Sequence, residues 1–234
     1  MQDKSLGMEN NRGHIDQIPD AGAKEGESAA VAELRHQFRN QIQTMTSLVG
    51  LFGDRMEPGP ARAAFLDLRA RFEATAVMQS EEFARGGDVR CDAMLAALAR
   101  RIAVLYDPGG RMALHVETAH FAAEAKRAAT IAQLFAEMLI EFFRAGGAKH
   151  AEASAKIFVG AGPDGALRLR IAGPALPPAG QPDGGDTLGR MIMDSLAQSL
   201  AGRVERETAD RFLLEATASG NPDPGKAWKV DLAA

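Results

Sequence analysis

A single cysteine, Cys91, stands in the 234 residues. It excludes an intrachain disulfide and argues against a thiolate metal cage. No apolar run approaches the roughly 20 residues that a bilayer-spanning helix requires, and the polar N-terminus lacks the pattern of a signal peptide. A soluble cytoplasmic chain with no membrane segment is the expectation. Charge of one sign is also missing: 27 Lys and Arg against 31 Asp and Glu leave a formal net charge of -4. With no basic cluster, no nucleic-acid partner is expected. What is present is ordinary globular material, 46% hydrophobic and 25% charged, enough for one large or two small domains.

Residues 1–27 are Gly, Asn, Asp, Lys and Glu with almost no apolar period and read as a disordered tail. A long amphipathic helix is expected from Ser28, a good N-cap, to Met56, where Glu57-Pro58-Gly59-Pro60 stops it. At about 100° per residue, Val31, Leu34, Phe38, Ile42, Met45, Leu48, Val49 and Phe52 fall in one stripe. His36 faces away from that stripe, beside Arg39, Asn40 and Gln43. It is either a reactive imidazole on an exposed face or a plain solvated histidine. A second helix is expected from Pro60 or Ala61 to Gly86-Gly87, with Phe65, Leu68, Phe72, Ala76 and Phe83 at helical spacing. The two would form an antiparallel hairpin over residues 28–87. Its apolar stripes lack cover within the hairpin, so pairing with a second copy as a dimeric four-helix bundle is the economical solution, and packing on the rest of the chain the competing one.

Residues 88–218 read differently. A helix over Asp92–Tyr106 leads to a strand over Arg111–Val116, then a helix over Ala123–Ala145 with Ile131, Leu134, Phe135, Met138, Leu139 and Phe142 on its apolar side. Strands Ala155–Gly160 and Leu167–Ala172 flank Gly162-Pro163-Asp164-Gly165, a hairpin signal. A Pro/Gly-rich loop over 173–185, a helix over Thr187–Leu200 and a strand pair, Arg203–Glu207 with Phe212–Thr217, complete the pattern. The fold class is α+β, with helices on one face of a mixed sheet. Residues 219–234, including Trp228 and Lys229, read as a tail.

The run Leu34-Arg35-His36-Gln37-Phe38-Arg39-Asn40-Gln41-Ile42-Gln43 resembles the phosphoacceptor box of the second HisKA-type family of two-component histidine kinases, usually L-R-H-R-V-K-N-N-L-Q. Asp186-Thr187-Leu188-Gly189 and Leu200-Ala201-Gly202-Arg203-Val204 are similar to that family's second glycine box and its L-G-G strand. The resemblance covers residues 30–218 and implies a histidine-kinase-type ATPase sandwich after the hairpin. The departures imply that the sandwich is degenerate. Glu141 stands where the family's N-E-L-V-x-N helix has its Mg²⁺-holding Asn. Ile171-Ala172-Gly173-Pro174-Ala175-Leu176-Pro177 lacks the adenine-binding Asp of the first glycine box, and only one glycine of the second remains.

A phosphoacceptor without its ATP-binding parts resembles the histidine phosphotransferases of alphaproteobacterial phosphorelays, dimers that shuttle phosphoryl groups between the receiver domains of response regulators. That resemblance implies His36 as phosphoacceptor, Arg35, Gln37, Arg39 and Gln43 as receiver contacts, and no bound cofactor, the Mg²⁺ being the receiver's. In related kinases a polar residue at the Asn40 position orients water for receiver dephosphorylation, which implies a phosphatase or positioning role; a solvated asparagine is the alternative. An imidazole in water is largely neutral and nucleophilic near pH 7, so little tuning is required. Two rival readings are a divergent ATP-dependent histidine kinase and a non-catalytic receiver-binding scaffold. His115 and His120 lack a third metal ligand at suitable spacing.

Overall fold

The structure, a computed structural model, describes residues 21–80, 83–85, 88–145, 154–161, 166–174, 188–207 and 211–218. The chain divides into two units, Met1–Gln37 and Phe38–Ala234. The first contains the start of helix α1, whose full span is Ala21–Asp54.

In the second unit, alternation of apolar and polar residues builds a sheet that is buried on one side. Strand β5 (Ser154–Ala161) turns Ala155, Ile157 and Val159 inward, and β6 (Leu167–Pro174) turns Leu167, Leu169 and Ile171 inward. With β3 (Ala113–Thr118), β7 (Gly202–Glu207) and β8 (Arg211–Ala218) they form a five-stranded sheet in the order β3-β5-β6-β8-β7. Only β3 and β5 run parallel; the other neighbours are antiparallel, so the sheet is mixed. Helices α3 (Cys91–Tyr106), α4 (Ala125–Arg144) and α5 (Leu188–Ser199) pack on it. Helix α4 is the centre of the core. Of its 20 residues, twelve are buried, on every side of the helix, because α4 also contacts α2 (Pro60–Met78), α3 and α5. This α+β architecture agrees with the reading of residues 88–218.

Several local expectations are corrected. Helix α1 begins at Ala21, so Ser28 lies inside it instead of capping it; Ala23, Lys24 and Glu25 are good helix formers and extend the helix backwards. Helix α2 ends at Met78, where Gln79 N–H donates to the Ala76 carbonyl and Ser80 N–H to that of Val77. Phe83 therefore leaves the helix and is buried separately in the core. Beyond it, β1 (Ala84–Arg85), β2 (Asp88–Arg90) and β4 (Ala122–Glu124) form a second sheet of three short antiparallel strands. The sequence pattern carried no sign of it, since strands of two or three residues have no readable period.

The buried face of α2 is also not the expected one. Asp67, Ala70, Ala74 and Val77 are buried, whereas Leu68 is exposed and Phe65, Phe72 and Ala76 are only half-buried. The two faces lie on nearly opposite sides of the helix. Small residues on the buried side allow α2 to approach α3 and α4 closely. At the turn, α1 meets α2 in antiparallel sense: a Cβ built at Gly53 would lie 3.2 Å from Phe65 Cβ, and one at Gly50 would lie 3.2 Å from Arg69 Cζ.

The turn at 162–165, residues 175–185 of the expected loop and the tails at 1–20 and 219–234 lie outside the described residues.

Candidate functional site

In the first unit, His36 is exposed, as its position opposite the apolar stripe predicted. Gln37, also exposed, donates to Glu33 Oε1 at 3.0 Å, one turn earlier. The backbone of Arg35 lies in α1, and its side chain lies outside the described residues.

In the second unit, Asn40 and Gln43 are exposed and Arg39 is half-buried. Asn40 and Gln43 join Thr44, Ser47, Leu48 and Leu51 in one shallow groove along α1. The hydroxyls of Thr44 and Ser47 bond the carbonyls of Asn40 and Gln43, both at 2.9 Å. These bonds direct the hydroxyls along the helix and leave the Asn40 and Gln43 amides as the longer polar groups of the groove. The apolar stripe beside it is largely exposed among the described residues: Phe38, Met45, Leu48 and Phe52 are 45–54% exposed, while Ile42 is buried.

A second polar cluster escaped the sequence reading. Helix α2 supplies Asp67 and Arg71, α3 supplies Tyr106, and α4 supplies Glu137 and Arg144. Arg71 grips Glu137 with two hydrogen bonds, Nε to Oε1 at 2.5 Å and Nη2 to Oε2 at 2.8 Å. Tyr106 donates to Asp67 Oδ1 at 2.6 Å, and Arg144 Nε lies 3.1 Å from Asp67 Oδ2. Asp67 and Glu137 are 3% exposed, so both carboxylates need these partners. Donation to Glu137 raises Arg71 further above the ordinary guanidinium value, against the opposing effect of burial. Burial, and then donation to Asp67, push the Tyr106 hydroxyl well above the usual phenol range. The Tyr106 ring stacks on Phe143 with centroids 5.0 Å apart. The available signal was the Asp67/Arg71 pair at i,i+4 on a side of α2 otherwise made of alanine and valine; such a pair usually marks a solvated face, which concealed it.

The segments that the resemblance assigns to a nucleotide are described in part. On α4, Glu137 is held by Arg71, Gly189 of α5 packs beside it (a Cβ there would be 3.5 Å from Glu137 Oε2), and Glu141 is half-buried. At the strand end of β6, Phe142 presses on Gly173 so closely that a Cβ there would meet its Cε2 at 2.5 Å. Residues 175–177 and 186–187 lie outside the described residues.

His115 and His120 are exposed; His120 Nδ1 is 3.3 Å from Asp92 Oδ2. Among the described residues there is no group of three His, Cys, Asp or Glu arranged to hold a metal ion. Nor is any described helix long and apolar enough to cross a membrane.

No protein-family model and no curated protein sequence matches the chain. The fold itself is that of histidine kinase domains. The histidine kinase domain from the blue-light activated histidine kinase of Erythrobacter litoralis EL346 is similar with a TM-score of 0.59 at 17% identity, over 80% of this chain and 89% of that one. A longer structure of the same kinase gives 0.57 at 16% identity, over 79% of this chain and 59% of the other, so the chain spans about three fifths of it.

Proposed function

We propose that the chain is a histidine-containing phosphotransfer protein that works without ATP of its own. In this reading residues 28–87 are its dimerisation and phosphotransfer segment, 88–218 a degenerate kinase-like sandwich, and His36 the phosphoacceptor. The imidazole Nε2 attacks the acyl phosphate of a receiver aspartate; an N–P bond forms as the O–P bond breaks, and the aspartate leaves as carboxylate. Transfer to a second receiver reverses the step. Mg²⁺ on the receiver screens charge on the phosphoryl group. This chain supplies the nucleophile and the surface that positions it. Arg35, Gln37, Arg39 and Gln43 meet the receiver, and Asn40 positions water or the phosphoryl group. A second copy covers Phe38, Met45, Leu48 and Phe52.

The observation that carries this reading is the packing of α2 across α3 and α4, with Arg71 bound to Glu137. The resemblance assigns the Glu141 position of α4 to Mg²⁺, and one turn earlier on the same helix an arginine already satisfies the buried Glu137 carboxylate. Phe142 against Gly173 supports the reading at the strand end where the family binds adenine. The kinase-like fold keeps a second reading in play, a divergent ATP-dependent histidine kinase.

A phosphorylated receiver is expected to label the wild type and not His36→Ala, with [γ-³²P]ATP alone labelling neither. Labelling by ATP alone establishes the kinase reading. Equal labelling of His36→Ala removes His36 as acceptor, and relay function surviving that substitution favours the scaffold.

A further inference from the structure

A cleft opens where the α1–α2 turn meets the end of α3, in the second unit, and none of the residues assigned above to phosphotransfer lines it. Its volume is about 580 Å³, within the ~300–1,000 Å³ of small-molecule sites. The walls are apolar: Phe65 and Leu66 from α2, Val104 and Leu105 from α3. Val104 is 65% exposed, a large apolar side chain without cover.

Two cations enter this apolar space, Arg62 and Arg69. Arg69 lies against the α1 backbone: a Cβ at Gly50 would be 3.2 Å from Arg69 Cζ and Nη1. Its Nε is shielded from solvent and, among the described residues, has no hydrogen-bond acceptor. Asp54 is the one carboxylate among the lining residues, and it forms no ion pair with Arg62 or Arg69. The lining therefore carries a surplus positive charge beside uncovered apolar surface.

We propose that this cleft is a binding site for a small amphipathic monocarboxylate, with the carboxylate on Arg69 and Arg62 and the apolar tail along Leu66, Leu105 and Val104. The site is independent of His36 chemistry and would give the protein a small-molecule ligand of its own.

Calorimetric titration of the full chain with decanoate, decanol and acetate tests it. Decanoate is expected to bind at least about tenfold more tightly than decanol, with acetate undetectable. Arg69→Gln should weaken decanoate about tenfold and leave decanol unchanged; Val104→Glu, at an exposed position, should weaken both. Equal affinity for decanoate and decanol overturns the proposal, as does decanoate binding that both substitutions leave intact or that Leu48→Asp abolishes. Absence of decanoate binding at millimolar concentration also overturns it.

Discussion

Arg71 on α2 and Glu137 on α4 form a two-pronged ion pair across the helix layer, at 2.5 and 2.8 Å, with the glutamate side chain 4% exposed and the arginine 28%. The pair ties α2 to the middle of the core helix α4. Arg71→Leu leaves a buried carboxylate with no counter-charge and is expected to lower stability by about 3 kcal/mol in urea unfolding. The double variant Arg71→Leu/Glu137→Leu should lose clearly less than the sum of the two single variants. Additive losses would show that the two side chains are not coupled.

Alkaline pH should destabilise the protein in a defined window. Burial pushes the Cys91 thiol from 9.0 up to about 12, and Tyr106 is raised above its ordinary 10.0 by burial and by its bond to Asp67. Between pH 9 and 12 the unfolded chain loses these protons while the folded chain keeps them, so stability is full below pH 9 and falls as pH rises. Cys91→Ala and Tyr106→Phe should each flatten that fall in unfolding measured from pH 8 to 11. Native Cys91 should also resist iodoacetamide at pH 8. Rapid alkylation there would contradict its burial.

At the other end of the scale, the Met112 backbone N–H and Arg111 hold the Asp107 carboxyl below its ordinary 3.8. Its contribution is present above pH 3.8 and is lost as pH falls through the lowered value. Asp107→Asn should therefore make acid unfolding less steep.

Two small-residue positions should respond in opposite directions. Gly173→Ala places a methyl against the fully buried Phe142 ring and should cost about 1–3 kcal/mol, partly restored by Phe142→Leu. Ala201 holds φ 55° just after α5, a conformation that costs a non-glycine residue about 1 kcal/mol. Ala201→Gly should accordingly raise the unfolding midpoint. An unchanged or lowered midpoint would contradict the strain.

The exposed stripe on α1 predicts the assembly state. The wild type should run in light scattering at about twice its 24.9 kDa chain mass. Leu48→Asp/Phe52→Asp should give a folded monomer, because a carboxylate at each position opposes burial of the stripe. A wild-type monomer at micromolar concentration would remove the bundle.

The sequence alone determined the order and type of the larger elements and the exposure of His36. Those follow from local periodicity, since a period of two or of 3.6 places each side chain whatever the partner is. It also carried the stripe Phe38, Met45, Leu48 and Phe52, although not the degree of its exposure. Which face of α2 is buried was decided only by tertiary structure. Hydropathy favoured Phe65, Leu68 and Phe72, but close helix packing required the small Ala70 and Ala74, and the buried carboxylate of Glu137 required Arg71. The three-stranded sheet, the departure of Phe83 from α2 and the Arg69 cleft arose in the same way. Each depends on what a distant segment brings to the contact, and no period along one segment encodes that.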